Sequence, residues 1–283
     1  MPHPSLSCRL VAVWLIAAGL LALPTGVAHS QPADRLESIV DGHLYFPDTV
    51  GSSWRYRGHI TELPLQKIES SKGYTNVSTV TGTRTINGVT VTVFHDTNPG
   101  NHGPTDSYYR RDAVGVVYYG SSPGTPIERQ VTPYQIVRFP IAMPSSFQQF
   151  DRKGIDFGND LDGDGTEEKA DVEASVAVIG KESVVVPAGS YADALRLEAR
   201  LSLRIHLSKS RRSVLSTDLL TAWFAKGVGL VKYTEHQEMP PAVTDRGWIT
   251  EIVEELEEAD VKAPVALNQT GPEAQSRAAA YSR

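Results

Sequence analysis

The sequence predicts a mainly antiparallel β-protein, a curved sheet or open barrel, and three observations lead there. From Ala194 to Ser208 the chain reads ALRLEARLSLRIHLS. Leu195, Leu197, Ala199, Leu201, Leu203, Ile205 and Leu207 take one parity, and Arg196, Glu198, Arg200, Ser202, Arg204 and His206 take the other. Helical spacing would scatter the leucines around the axis, whereas a period of two puts them on one face. The strand therefore has one buried and one wet side, as in an antiparallel sheet covered on one face. Second, Asn87-Gly88 stands between TRTI and VTVTVF. Both residues tolerate positive φ, and this is a strong short hairpin signal. Third, LLTAWFAKGVGLVKYTEHQ reads as strand, glycine-containing turn and strand.

The elements follow in order. Residues 1–30 read as a signal peptide: Arg9, the apolar run Leu10–Pro24, and Ala28-His29-Ser30 before a cleavage expected at Gln31. The run is shorter than the ~20 apolar residues that span a bilayer, and no second run of that length follows. Residues 31–43 read as a linker or short helix, and 44–257 as the β-domain. Within it SSWRYRGHI is a strand, with Trp54, Tyr56 and Gly58 on one face. The Thr- and Val-rich stretch from Tyr74 to Ile86 favours a pleated surface. HDTNPGNHGPTD is a loop by composition. SYYRRDAVGVVYYG gives two short strands, and VTPYQIVRF another. At ~3.4 Å per residue the leucine-rich strand spans about 40 Å or more, a length associated with strong twist or coiling. WITEIVEEL is expected to be a final edge strand, since acidic side chains protect an exposed edge. Residues 258–283 are rich in Ala, Pro, Gln, Ser and charge, and are expected to form a disordered tail.

Composition narrows the chemistry. Cys8 is the one cysteine, and it precedes the apolar run where lipid attachment cannot occur. The processed chain is thus expected to carry no disulfide, thiolate metal site or cysteine nucleophile. It is expected in the periplasm or the medium, unlipidated. The formal charge of −6 becomes −7 when Arg9 is removed, which argues against nucleic acid as a partner. Lys209, Arg211 and Arg212 read as a solvated turn between two strands. The histidines beyond residue 30 are His43, His59, His95, His102, His206 and His236, and no two form a short metal-binding pair. His95 and His102 share a polar stretch with Asp96 and Asp106, a setting in which turn roles are commoner than metal binding. Ala188-Gly189-Ser190 lacks the second glycine of a nucleophile elbow. There is no phosphate loop or dinucleotide fingerprint. Asn76 and Asn268 open glycosylation sequons that read as chance matches.

One motif points to an ion. Asp160 to Asp171 reads DLDGDGTEEKAD, the ligand order of a calcium loop with glycine at its sixth position. In that order Asp160, Asp162 and Asp164 supply side-chain oxygens and Thr166 its carbonyl. Glu168 acts directly or through water, and Asp171 closes the shell. The apolar alternation of VEASVAVIG after the loop denies it the usual exit helix. The expectation is one EF-like loop between strands, holding a structural Ca²⁺.

Three stretches resemble a group of bacterial exported proteins and lipoproteins of unknown function. LYFPDTVGSSWRYRG (44–58) resembles their YFP…G-x-x-W-x-Y opening. ESVVVPAGSYADALRLE (182–198) resembles V-x-V-P-A-G-x-[FY]…A-L-R. TAWFAKGVGLVKY (221–233) resembles W-[FY]-A-x-G-V-G-L-V-K. The resemblance covers most of the chain from Leu44 to Tyr233 and implies a curved antiparallel sheet, distantly like the half-barrels of periplasmic lipoprotein carriers. Lys226 stands where many relatives carry proline or glutamate, and no lipidation cysteine is present. On the residues alone the motifs read as structural: Pro187-Ala188-Gly189 as a turn, Gly227 and Gly229 as a reversal, Trp54 and Trp223 as core aromatics.

The functional expectation is a non-catalytic exported β-domain of unknown role, with one calcium ion and a hydrophobic, lipid-like ligand or an envelope protein as partner. Two other classes stay open: an interaction module contacting protein or polysaccharide, and a hydrolase with an unrecognised site.

Overall fold

A computed structural model describes residues 37–64, 70–98, 103–242 and 247–263. The signal peptide, His102, the Asn268 sequon and residues 264–283 lie outside the described residues. In chain order the elements are β1 (Glu37–Ile39), a 3-10 turn (Gly42–Tyr45), β2 (Ser53–Pro64), β3 (Ser70–Ile86), β4 (Val89–Asp96), β5 (Thr105–Asp112) and β6 (Gly115–Ser122). Then come α1 (Pro126–Val131), β7 (Tyr134–Arg138), β8 (Ile141–Met143), β9 (Ser145–Asp156) and β10 (Lys169–Val186). β11 (Gly189–His206), β12 (Ser213–Ala225), β13 (Gly229–Met239) and β14 (Trp248–Asp260) complete them.

Twelve strands form one antiparallel sheet in the order β7-β6-β5-β4-β3-β2-β14-β13-β12-β11-β10-β9. Neighbours in the sheet are neighbours in sequence except at β2–β14, where the two ends of the domain meet. The outer strands β7 and β9 come together without a ladder. Gln149 Nε2 donates to the Gln135 carbonyl at 2.8 Å, and the rings of Tyr134 and Phe150 meet at 5.1 Å. The sheet is thus nearly closed into a barrel. β1 and β8 pair as a separate ribbon that buries Ile39, Ile141 and Met143.

β11 has the predicted alternation. Leu195, Leu197, Ala199, Leu201, Leu203 and Ile205 are buried, and Arg196, Glu198, Arg200 and Ser202 are half-exposed. Its partner β10 is equally long, with irregularities between Val178 and Gly180 and between Glu182 and Val184. Such bulges increase local twist and let a long strand wrap. Asn87 and Gly88 both have positive φ, 48° and 79°, and join β3 to β4 as a tight hairpin. Lys209, Arg211 and Arg212 fall in the exposed turn between β11 and β12.

The structure departs from the sequence reading in five places. Residues 258–260, expected in the tail, complete β14 and pair with β2. β14 is a strand but not an edge: it pairs with β13 on one side and β2 on the other. Its acids serve other ends. Glu255 pairs outward with Arg57 and Lys232, and Glu254 points into the barrel. The described part of 31–43 is β1 and the start of a 3-10 turn rather than a linker or helix. α1 was not anticipated; Thr125 caps it in a capping box with Glu128, and Pro126 stands in its first turn. Trp223 lies on the outer face, where Arg196 and Lys232 approach its ring and its Nε1 donates to Glu182. Only Trp54 is a core residue in full, 4% exposed.

The three motif stretches come together in space. Trp54, Tyr56, Val184, Val186, Ala194, Ala225, Val231 and Leu256 form a second core cluster at one end of the barrel. Trp54 Nε1 donates to the Val228 carbonyl at 2.6 Å, and the Tyr56 hydroxyl to that of Leu230 at 3.1 Å. Gly229 has φ +97°, and a Cβ there would press on Pro47 at 3.2 Å. The reversal therefore requires glycine, because the Trp54 side packs against it. Lys226, exposed in this turn, pairs with Asp41. These motifs build the end of the barrel.

Candidate functional site

The inward faces of β2 to β6, β13 and β14 enclose a partly open cavity of about 270 Å³. Its lining is partly aromatic. Rings follow one another across the sheet from β2 to β9: Trp54–Phe94 at 6.1 Å, Phe94–Tyr109 at 5.4 Å, Tyr109–Tyr118 at 5.2 Å, Tyr118–Tyr134 at 5.3 Å and Tyr134–Phe150 at 5.1 Å. Phe46, anchored on Phe224 at 4.6 Å, adds a ring at the rim. Alternation along each strand supplies one inward aromatic at nearly every rung, and contacts near 5 Å suit edge and tilted ring packing.

Carboxyls share these inward faces. Glu254, 8% exposed, accepts from the Tyr74 hydroxyl at 2.8 Å and from Asn76 Nδ2 at 3.3 Å. The Tyr74 ring is seated over Gly58, where a Cβ would come within 2.2 Å of it. Asp96, at the end of β4, is hydrogen-bonded by Ser78 and Asn76. Asn76 thus connects both carboxyls, and its oxygen accepts from Thr97 Oγ1 and Asn98 N at 3.1 and 3.0 Å. With 3% exposure it is a wall residue rather than a glycan acceptor. Burial raises Glu254 to about 7, against hydrogen bonds from Tyr74 and Asn76 that lower it, and Asp96 to about 6. Further inside, Glu235 and Asp218 share Gln237, and Tyr233 donates to Glu235. Burial lifts Glu235 to about 8 and Asp218 well above the carboxylate range.

These four carboxyls set a pH dependence. Each has a folded pKa above its unfolded value, so the folded state binds more protons between the two, and stability falls as pH rises through that interval. In chelator, the thermal midpoint is expected to decline from about pH 5 to about pH 8, the window given by values of about 6, 7 and 8. Glu235→Gln should flatten the decline. Melting curves that rise steadily over this range would refute the assignment of buried carboxyls.

The acidic loop joins β9 to β10, away from the cavity lining. Asp160 folds it: its oxygens accept from Gly163 N at 2.7 Å and Gly165 N at 2.8 Å, and both glycines have positive φ. Asp160, Asp162 and Glu168 each place one carboxylate oxygen within 4.8 Å of the others. Two of the three are buried, Asp162 at 7% exposure and Glu168 at 0%. Each spends one oxygen on the β11–β12 turn: Lys209 N donates to Asp162 Oδ2 at 2.9 Å, and Ser208 N to Glu168 Oε2 at 2.8 Å. The remaining oxygens, Asp162 Oδ1 and Glu168 Oε1, are buried with no hydrogen-bond partner. Burial, with the nearby Asp162 charge, raises the Glu168 carboxyl.

The other two predicted carboxylates, of Asp164 and Asp171, fall outside this group. Asp164 turns to Ser208 Oγ at 2.8 Å and to Thr166 N at 2.8 Å, which lower its pKa. Thr166 is exposed. Asp171 is already in β10, accepting from Gly154 N at 2.9 Å and facing His206 at 3.2 Å. Glu168, not Asp171, closes the group, because the chain becomes extended at Lys169. The paired histidines lie on the outer face: His95 with Asp106 at 2.8 Å and His236 with Glu251 at 3.2 Å.

No helix among the described residues is long and apolar enough to cross a membrane. No protein-family model matches the sequence, and no curated protein is significantly similar to it. Two solved structures align with the chain. One, described as a lipoprotein of Parabacteroides distasonis, has 15% identity over 76% of this chain and 98% of that chain, with a TM-score of 0.36. The other, described as an exported protein with a YmcC-like fold from Bacteroides fragilis, has 13% identity over the same shares, with a TM-score of 0.33.

Proposed function

We propose that the protein is an exported, non-catalytic β-barrel that binds one small ligand with an apolar body and carries one structural calcium ion. The observation behind the ligand is the cavity: rings and carboxyls line an open space instead of filling it. At about 270 Å³ it stands near the lower end of the ~300–1,000 Å³ usual for ligand pockets, a size for one chain or ring system. The signal peptide read from the sequence supports export. Titration with the neutral, solvent-sensitive dye N-phenyl-1-naphthylamine tests the cavity. Saturable binding of one dye per protein is expected, and Ser107→Phe, which fills the wall opposite Phe94, should abolish it without lowering the thermal midpoint by more than a few degrees. A folded protein that binds no dye, or a variant that binds like wild type, would refute the reading.

The calcium rests on the two orphaned oxygens. A buried carboxylate oxygen without a donor is costly, and two of them within a cluster of three carboxylates call for a cation. An all-oxygen set suits calcium better than zinc. Asp160, Asp162 and Glu168 would hold the ion, with water and loop carbonyls filling the shell. Native mass spectrometry in millimolar calcium should show one retained ion, absent in Asp162→Asn with Glu168→Gln.

A further inference from the structure

The cavity is lined by both rings and carboxyls, and its charges are unbalanced. The charged side chains in its wall are Asp48, Asp96, Glu254 and Arg111. Arg111 is engaged, paired with Asp48 and donating to the His43 carbonyl at 3.3 Å. Asp96 and Glu254 have only neutral donors beside them: Ser78, Asn76 and Tyr74. His95, next along β4, pairs with Asp106. Tyr74 is itself pushed upward by burial and by Glu254, so it stays neutral. Behind this wall stand two more carboxyls, Glu235 and Asp218, again held by the neutral Gln237 and Tyr233.

Two carboxyls facing one cavity, whose one lining cation, Arg111, is already paired with Asp48, leave a deficit of positive charge that an occupant can supply. The rings around them point the same way. Trp54, Phe94 and Tyr56 line the same cavity as Glu254 and Asp96, and an ammonium group over aromatic faces gains further attraction when desolvated. The ring row continuing past Tyr109 to Tyr118 offers an apolar track for the rest of such a molecule. The volume limits it to one chain.

We infer that the ligand is a cationic amphiphile, a single apolar body bearing one ammonium group, with the cation seated between Glu254 and Asp96 and the body along the ring row. This rests on the reading that the cavity binds a ligand at all. Occupation would hold both carboxyls ionised. An amine should therefore bind more tightly as pH rises from 5 to 8, through the intervals in which these groups shed their protons, while an uncharged ligand should not respond in this way.

Displacement of the naphthylamine dye by decyltrimethylammonium, decanol and decanoate, all below their aggregation limits, decides the matter. The quaternary amine is expected to displace the dye at a concentration about tenfold or more below decanol, with decanoate weakest. Its advantage over decanol should grow from pH 5 to pH 8. Glu254→Gln should bring the amine-to-decanol ratio close to one, and Asp96→Asn serves the same purpose if the first variant does not fold. Equal displacement by decanol and the amine would overturn the cationic head and leave the cavity reading standing. Decanoate as the best competitor would overturn it in favour of the Arg111 end, where Nε has no partner. Dye binding that none of the three displaces would overturn it too, and failure of the dye itself to bind defeats the cavity reading as well.

Discussion

Leu201→Asp is expected to lower the thermal midpoint by more than about 10 °C, and Arg200→Asp, one residue away, by no more than about 3 °C. Leu201 is 4% exposed and stands opposite Ala174 on β10 and Asp218 on β12. Losing the leucine side chain costs about 2–5 kcal/mol as a cavity. The new carboxyl adds an unpaired polar group in the core, directly across from a carboxyl already pushed far up by burial. A total above about 5 kcal/mol corresponds to more than roughly 10 °C in a domain of this size, at about 2–4 °C per kcal/mol. Arg200 points outward, where it meets Glu198 at 3.3 Å. Breaking that partly exposed pair costs about 1 kcal/mol or less. Scanning calorimetry of the two variants separates the cases, and equal shifts would show that the strand does not present Leu201 to the core.

The contrast in that experiment was readable in the sequence because one-sided burial writes itself into residue parity. The same holds for Asn87-Gly88, whose backbone needs are local. What stayed hidden depends on residues far apart in the chain. The acid at 254 looked like protection of a free edge. Its role appears only when Tyr74 and Asn76 arrive from β3 to receive it and β2 covers the strand. The cavity has no sequence motif, since each strand contributes one or two inward side chains at ordinary alternation. Helix α1 did leave a trace, Thr-Pro-Ile-Glu from Thr125, in which the capping box can be read; six residues were too few to show a period. In the acidic loop, linear spacing proposed Asp160, Asp162, Asp164, Thr166 and Glu168 with Asp171 closing the shell, whereas the carboxylates brought together are Asp160, Asp162 and Glu168. A spacing rule taken from a loop followed by a helix assumes the chain keeps turning, and here it becomes β10 at Lys169. Glu168 is the last carboxylate before the extended segment and so is the one that reaches back.

Calcium should raise the thermal midpoint of the wild-type protein by roughly 3–10 °C at 10 mM, and the gain should vanish when Asp162 and Glu168 are changed to Asn and Gln. An isolated loop without a paired partner suits a dissociation constant of about 10⁻⁴ to 10⁻³ M, as in extracellular modules. At 10 mM the ion then stabilises by about 1.4–2.7 kcal/mol, which at about 2–4 °C per kcal/mol sets the range. The direction in chelator is less obvious and more telling. Removing the ion leaves Asp162 Oδ1 and Glu168 Oε1 buried and unpaired within one carboxylate cluster. Changing both residues to amides removes that repulsion and supplies donors, so the double variant in chelator should melt at or above the wild type in chelator. Because Lys209 N and Ser208 N reach the same two side chains, loss of the ion should also loosen the β11–β12 turn. Faster hydrogen exchange at residues 207–210 in chelator than in calcium would report this. Zinc or magnesium in place of calcium should give smaller shifts, the first for want of nitrogen or sulfur ligands and the second because it demands near-octahedral geometry. A wild-type midpoint indifferent to millimolar calcium, with exchange at the turn unchanged, would reduce the loop to an acidic turn held by Asp160 and its two glycines.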